Sequence, residues 1–124
     1  MKSSLPEETE LRNALGRDAL VVVTGANGGI GLALCKALHG AGIGLIMACR
    51  SRERGEAAAG EVRRAGGKGG IWVEEVDVAR AESIDTFFER LKRSGLRPTH
   101  LVNNAGTMAS HLAFTPEGIE ANLA

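Results

Sequence analysis

Residues Leu20–Gly31 read LVVVTGANGGIG, and the organisation of the chain can be worked out from this stretch. Leu20 to Val23 are apolar on four consecutive positions. A strand with one wet face would alternate, so an unbroken run suits a parallel strand buried on both faces. The glycines that follow have separate tasks. Gly25 lets the chain leave the strand in a sharp turn at positive φ. Gly29 and Gly31 carry no Cβ, so a phosphate and the facing strand can both approach the start of the next helix closely. The free N–H groups and positive dipole end of that helix then favour an anion. The spacing is G-x-x-x-G-x-G rather than G-x-G-x-x-G, and no Gly-Lys-Ser/Thr follows that would make it a P-loop.

On the N-terminal side, residues 1–18 read as a polar lead-in. Pro6 with Glu7, Glu8 and Glu10 could open a short helix there. On the C-terminal side the pattern alternates. The first strand spans Ala19 to Thr24 and the first helix Gly29 to about Ala41, with Ile30, Leu34 and Leu38 as its inward stripe and Ala33, Ala37 and Ala41 beside them. Gly40 and Gly42 supply its C-cap. Ile43 to Cys49 is a second strand, and Ser51 or Arg52 opens a second helix reaching about Ala65, closed by Gly66, Gly67, Gly69 and Gly70. Ile71 to Val76 is a third strand in which Trp72 packs. A third helix covers about Ala81 to Ser94, with Ile84, Phe88 and Leu91 inward and Gly95 and Pro98 stopping it. Thr99 to Asn103 is the fourth strand, and Thr115-Pro116 marks another helix start.

This β-α-β-α-β-α-β alternation requires a parallel sheet with helices on its faces. It predicts an α/β, doubly wound sheet of the Rossmann type over residues 19–124, with strand order 3-2-1-4 and a ligand beyond the carboxyl ends of strands one and four. Composition narrows the possibilities further. The 124 residues carry 15 basic and 15 acidic side chains, so no basic excess points to nucleic acid or an anionic membrane. No run of 18 apolar residues and no signal peptide is visible, which predicts a protein without a transmembrane segment, cytoplasmic in location. Cys35 and Cys49 match no zinc spacing and read as reduced, structural thiols, leaving no metal site.

The end of the second strand bears on the cofactor. In dinucleotide folds an acidic residue about 20 positions beyond the glycines receives the ribose hydroxyls and implies NAD. Here Arg50 stands 19 residues after Gly31, preceded by Cys49. A guanidinium can grip the 2′-phosphate of NADP with two charge-assisted bonds, and no carboxylate is present to repel it. NADP is therefore expected over NAD, with Arg52 as a second contact.

TGANGGIG after a strand, Asp77-Val78 after the third strand and Asn103-Asn104-Ala105-Gly106 after the fourth together resemble the short-chain dehydrogenase/reductase family. The stretches ACRSRERGEAAA and NNAGTMASHLAFTPEGIEANLA look like its retinol dehydrogenase and WW-domain oxidoreductase branch. The resemblance implies a set of cofactor contacts: Gly25, Asn27, Gly29, Ile30 and Gly31 in the turn, Arg50 at the ribose, Asp77 at the adenine amino group with Val78 beside the ring, and Asn104, Ala105 and Gly106 along the ribose and crevice. Such a protein transfers a hydride between nicotinamide and an alcohol or carbonyl carbon, here of a retinoid, steroid or other lipophilic substrate.

The family's proton-transfer pair is a Tyr followed four residues later by a Lys. This sequence contains no Tyr, so no catalytic residue is assigned. Asn122 lies out of register for the family's assisting Asn, and Ser110, His111 and Lys92 have no triad-like context. The expectation is a cofactor-binding N-terminal half, incomplete at its C-terminus. Its fourth strand would leave an apolar edge, predicting marginal stability, aggregation or dependence on a partner. The competing readings are a non-catalytic dinucleotide-binding module, or truncated isoform, and an S-adenosylmethionine-dependent methyltransferase. Against the second of these stand Arg50, where an acidic ribose ligand is wanted, and the NNAG motif.

Overall fold

A computed structural model describes residues 15, 16 and 18–104. Seven elements follow one another: β1 (Leu20–Thr24), α1 (Gly29–Gly40), β2 (Gly44–Cys49), α2 (Arg52–Arg64), β3 (Ile71–Glu75), α3 (Ala81–Ser94) and β4 (His100–Val102). The four strands form one parallel sheet in the order β3-β2-β1-β4, as the alternating pattern predicts. The lead-in through Ala14, the Thr115-Pro116 helix start, Ala105, Gly106, Ser110, His111 and Asn122 lie outside the described residues.

The unbroken apolar runs are buried on both faces, and the two-residue period of a strand divides them between two cores. Val21, Val23, Leu45, Met47, Cys49 and Val73 join Cys35, Leu38, Ala58, Ala59 and Val62 on the side covered by α1 and α2. Val22, Ile46, Ala48 and Val76 join Ile84, Phe87 and Leu91 on the side covered by α3. Val22, Val23, Leu45, Ile46 and Met47 are wholly buried. β4 pairs with β1 alone among the described residues, and its three residues are half-buried.

Two helices are rotated somewhat from the inward stripes their sequence suggests, although Leu38 in α1 and Ile84 and Leu91 in α3 are buried as expected. In α1 the buried positions are Gly31, Cys35, Leu38 and His39, while Ile30 is 79% exposed, Leu34 is half-buried, and Ala33 and Ala37 are exposed. The segment GIGLALCKALHG is apolar around most of its circumference, so hydrophobic spacing cannot fix its rotation. Close contact at Gly31, described below, fixes it instead. In α3 the fully buried ring belongs to Phe87. Phe88 packs at the edge of the same core, its ring centroid 5.0 Å from that of Phe87. Ile84, Phe87 and Leu91 form the central line of the face, and Phe88 flanks it.

The helix ends also sharpen. Gly42, at φ +81°, follows the cap residue Ala41. Its N–H donates to the His39 carbonyl (2.9 Å) and that of Ile43 donates to Leu38 (3.0 Å), a Schellman closure in which Gly40 is simply the last helical residue. Ser51 caps α2, its Oγ accepting the Arg54 N–H at 3.2 Å. Trp72 packs against Gly44 and Gly70 but keeps 41% exposure on the edge strand β3.

Candidate dinucleotide site

Because all strands run parallel, their carboxyl ends share one side of the sheet. Thr24, Cys49, Glu75 and Val102 lead there directly into the Gly25 turn, Arg50, Val76-Asp77 and Asn103-Asn104. Segments scattered from residue 25 to residue 104 are thereby brought to one edge, with the glycine turn on the central strand.

Gly25 sits at φ +61°, as a sharp exit from β1 demands, and Gly29 at φ +57°. Neither conformation is readily open to a residue with a Cβ. A Cβ built on Gly29 would meet nothing within 4 Å, so the space above it is free for a ligand. Gly31 answers a different need. A Cβ there would collide with the Gly25 carbonyl oxygen and lie 2.7 Å from Asn104 Nδ2. The expected division of labour is therefore refined: Gly29 supplies backbone conformation and open space, while Gly31 allows the helix to press against the turn.

The N-terminus of α1 has no side-chain cap, and its first turn holds no acidic residue. Its first N–H groups are oriented to receive an anion, and nothing of the same sign as a phosphate stands in that turn. Ile30, exposed beside these groups, and Asn27, exposed within the turn, border the same opening.

Arg50 is exposed immediately beyond β2. The ion pairs among the described residues involve Lys36, Arg52, Arg80 and Arg90, and none engages Arg50. Arg52, the expected second contact, pairs with Glu56 at 3.4 Å along its own helix. Asp77 is held from two directions: its N–H donates to Ser83 Oγ (2.9 Å), and its Oδ1 accepts the Ala79 N–H (3.0 Å). One carboxylate oxygen thus closes a local turn, and Oδ2 is left for another donor. Val78 is half-buried against the core under α3.

Asn104 does more than line a crevice. Its Nδ2 donates to the Gly25 carbonyl at 3.1 Å, tying the end of β4 to the glycine turn across 79 residues of sequence. Asn103 Oδ1 is buried without a hydrogen-bond partner among the described residues. Sequence spacing could not reveal the Asn104 tie, since it joins groups set side by side only by the folded sheet, whereas the Ser83 bond is local, six residues beyond Asp77. No cluster of metal-ligating side chains occurs among the described residues, and no helix among them is long and apolar enough to cross a membrane. The two cysteines are free and buried. Burial, reinforced by neighbouring Cys49, pushes the Cys35 thiol up to about 12, and burial raises Cys49 as well, opposed by the Ala26 N–H.

A parallel 3-2-1-4 sheet with a glycine turn and an uncapped helix N-terminus at its carboxyl edge is the architecture of the dinucleotide-binding class of α/β domains. Comparison with known proteins places it more closely. Residues 19–122 match the family model for short chain dehydrogenase, and the chain belongs to that family of oxidoreductases, whose fold binds nicotinamide dinucleotides. Retinol dehydrogenase 14 of Mus musculus is 37% identical over 110 residues, covering 81% of this chain and 33% of that protein. Menthone neomenthol reductase from Mentha piperita superposes with a TM-score of 0.67 at 34% identity, over 73% of this chain and 32% of the reductase. L-sorbose reductase from Gluconobacter frateurii, solved with NADPH and L-sorbose, gives 0.64 at 32% identity, over 72% and 34%. The chain spans about a third of the length of the curated relatives it matches. Family membership removes the methyltransferase alternative.

Proposed function

We propose that this chain forms the cofactor-binding portion of an NADP-dependent short-chain oxidoreductase acting on a lipophilic alcohol or carbonyl compound. The observation carrying the cofactor choice is Arg50: exposed, outside every ion pair among the described residues, and at the strand end where an acidic residue would imply NAD. The NADPH complex of L-sorbose reductase is consistent with this reading. A Haemophilus influenza structure with bound NAD shares the fold at 22% identity and a TM-score of 0.60. Both cofactors therefore occur on this architecture, and Arg50 is what favours NADP here. The substrate class rests on likeness to the retinol dehydrogenases.

In this reading the α1 N-terminus and the Gly25–Gly31 turn hold the pyrophosphate, with Asn27 and Ile30 at its border. Arg50 pairs with the 2′-phosphate, Asp77 Oδ2 accepts from the adenine amino group, and Val78 packs beside the ring. Asn104, Ala105 and Gly106 follow the ribose. The nicotinamide, when bound, supplies hydride transfer. These residues bind and orient, and because the sequence has no Tyr they provide no phenol to move the accompanying proton. The two buried free thiols suit a reducing compartment, and a cytoplasmic location forms part of the proposal.

The test is fluorescence titration of the chain with NADPH and NADH, alongside an assay for carbonyl-dependent NADPH oxidation. Binding without turnover is expected. Arg50→Asp replaces an attraction with a repulsion and should weaken NADPH on the order of 100-fold, with a much smaller effect on NADH. Equal losses for the two cofactors would remove Arg50 as the selector. Turnover by these 124 residues would show that they hold catalytic groups of their own.

A further inference from the structure

We infer that Ser83 is a positioning residue for the adenine end of the dinucleotide, its hydroxyl fixing the direction in which Asp77 leaves β3; this rests on the reading of Asp77 as acceptor of the adenine amino group. Ser83 is the third residue of α3, and its Oγ accepts the Asp77 N–H at 2.9 Å. A polar side chain at the start of a helix commonly serves the helix's own unpartnered N–H groups. Here the cap residue Arg80 makes no such bond, and the Ser83 hydroxyl reaches back past it to the strand end.

The surrounding bonds leave Asp77 little freedom. Just before it, the Val76 N–H is still paired with β2, donating to the Cys49 carbonyl at 2.9 Å. The Asp77 carbonyl accepts the Arg80 N–H at 3.0 Å, and its Oδ1 accepts the Ala79 N–H at 3.0 Å. With the Ser83 bond, the residue is held by its N–H, its carbonyl and one carboxylate oxygen, which sets the direction of Oδ2.

α3 can present that hydroxyl because the same side of the helix is anchored further along. Phe87, one turn on, is wholly buried, and residues 83, 87 and 90 share a face. Arg90 donates from Nε to Glu74 Oε1 at 2.9 Å and from Nη2 to the Glu75 carbonyl at 2.8 Å. The helix is thus tied to the end of β3 through Arg90 and to Asp77 through Ser83. Thr86 provides the contrast. Its exposed hydroxyl donates to the Glu82 carbonyl within α3, at 2.9 Å, and is spent on the helix itself.

If the Ser83 hydroxyl aims Asp77, its loss should be felt by a ring that offers an amino group. Ser83→Ala should weaken NADPH by about fivefold, the loss expected for one net hydrogen bond. The hypoxanthine analogue of NADPH carries a carbonyl oxygen in place of that amino group, and its affinity should change little. Both are followed by the fluorescence of the dihydronicotinamide. Ser83→Thr keeps the acceptor oxygen and should hold NADPH as the unaltered chain does. Thr86→Ala should leave both affinities in place. Loosening of α3 as a whole would instead weaken the two nucleotides together. Amide hydrogen exchange on the unliganded chain gives a second readout: the Asp77 N–H should be protected, and Ser83→Ala should release it while Val76 stays protected.

An Asp77 amide that exchanges freely in the unaltered chain overturns the inference, even if Ser83→Ala fails to fold. Equal losses of the two nucleotides in Ser83→Ala overturn it as well. Asp77→Asn separates this inference from the reading beneath it, because it keeps Oδ1 for the Ala79 N–H and puts a donor in place of Oδ2. If Asp77→Asn weakens NADPH more than the analogue and Ser83→Ala does not, the role of Ser83 alone falls. If Asp77→Asn makes no such distinction, or the unaltered chain binds no NADPH, the reading of Asp77 fails and this inference with it.

Discussion

At the scale of single residues, the glycine turn separates two reasons for having no side chain. Gly31 is required by proximity, because its added Cβ would enter the Gly25 carbonyl and crowd Asn104. The obstacle is backbone, which cannot swing aside as the end of a side chain can. Gly31→Ala should therefore cost about 1–3 kcal/mol, in line with overpacking of a closed site, and should weaken dinucleotide binding as the turn and α1 are forced apart. Gly28 is the control. Its backbone is extended, and a Cβ there meets nothing within 4 Å, so Gly28→Ala should leave stability within about 0.5 kcal/mol. Urea midpoints of the two variants check this, and equal midpoints would remove the steric argument. The positive φ of Gly25 was legible in the sequence because a strand running straight into a helix must turn sharply. The Asn104 tie was not, because it joins residues that only the sheet register makes neighbours.

At the scale of elements, what could be read depended on how unevenly polarity is distributed along each segment. The strands were legible as buried because their apolar runs are continuous, and α3 was placed correctly from end to end because its charges lie on one side. Within α3 the central residue was displaced by one, from Phe88 to Phe87, since both rings lie near the same boundary. α1 has little polar face to give it a phase, and its rotation came from a steric contact at Gly31 instead of from hydrophobic spacing. α2 depends on its cap. Its apolar contribution is mostly alanine and Val62, so the Ser51 Oγ bond to the Arg54 N–H is a substantial part of what starts the helix next to Arg50. Ser51→Ala should destabilise the protein by about 1 kcal/mol, and Ser51→Asp should keep most of the stability through the same acceptor geometry. Thermal unfolding of the pair distinguishes a cap from a mere surface serine, for which the two substitutions would be equivalent.

At the scale of the whole molecule, chain alternation implied the parallel sheet, and the strand order followed from the doubly wound dinucleotide fold, in which the connection from β3 to β4 passes over β2 and β1. The same topology sets Cys35 and Cys49 in one dry layer between the sheet and α1–α2, and this makes folding sensitive to alkali. A buried thiolate is costly, so the Cys35 thiol stays protonated up to about 12, against an ordinary value of 9.0. Below pH 9 both folded and unfolded chains hold that proton, and it contributes no pH dependence. Between pH 9 and about 12 the unfolded chain ionises while the folded chain does not, so unfolding releases a proton and stability falls as pH rises. The slope from Cys35 approaches about 1.4 kcal/mol per pH unit, and the raised Cys49 thiol acts in the same direction. Urea midpoints from about pH 8 to about pH 10.5 should decline for the unaltered chain. They should decline less steeply for Cys35→Ala, each compared with its own value at the starting pH, because removing the thiol removes one releasable proton. The comparison cancels whatever stability the substitution itself costs, as well as the titration of lysines common to both chains. Parallel slopes would mean that the cysteines ionise alike in the folded and unfolded states, and that the layer beneath the dinucleotide site is wet.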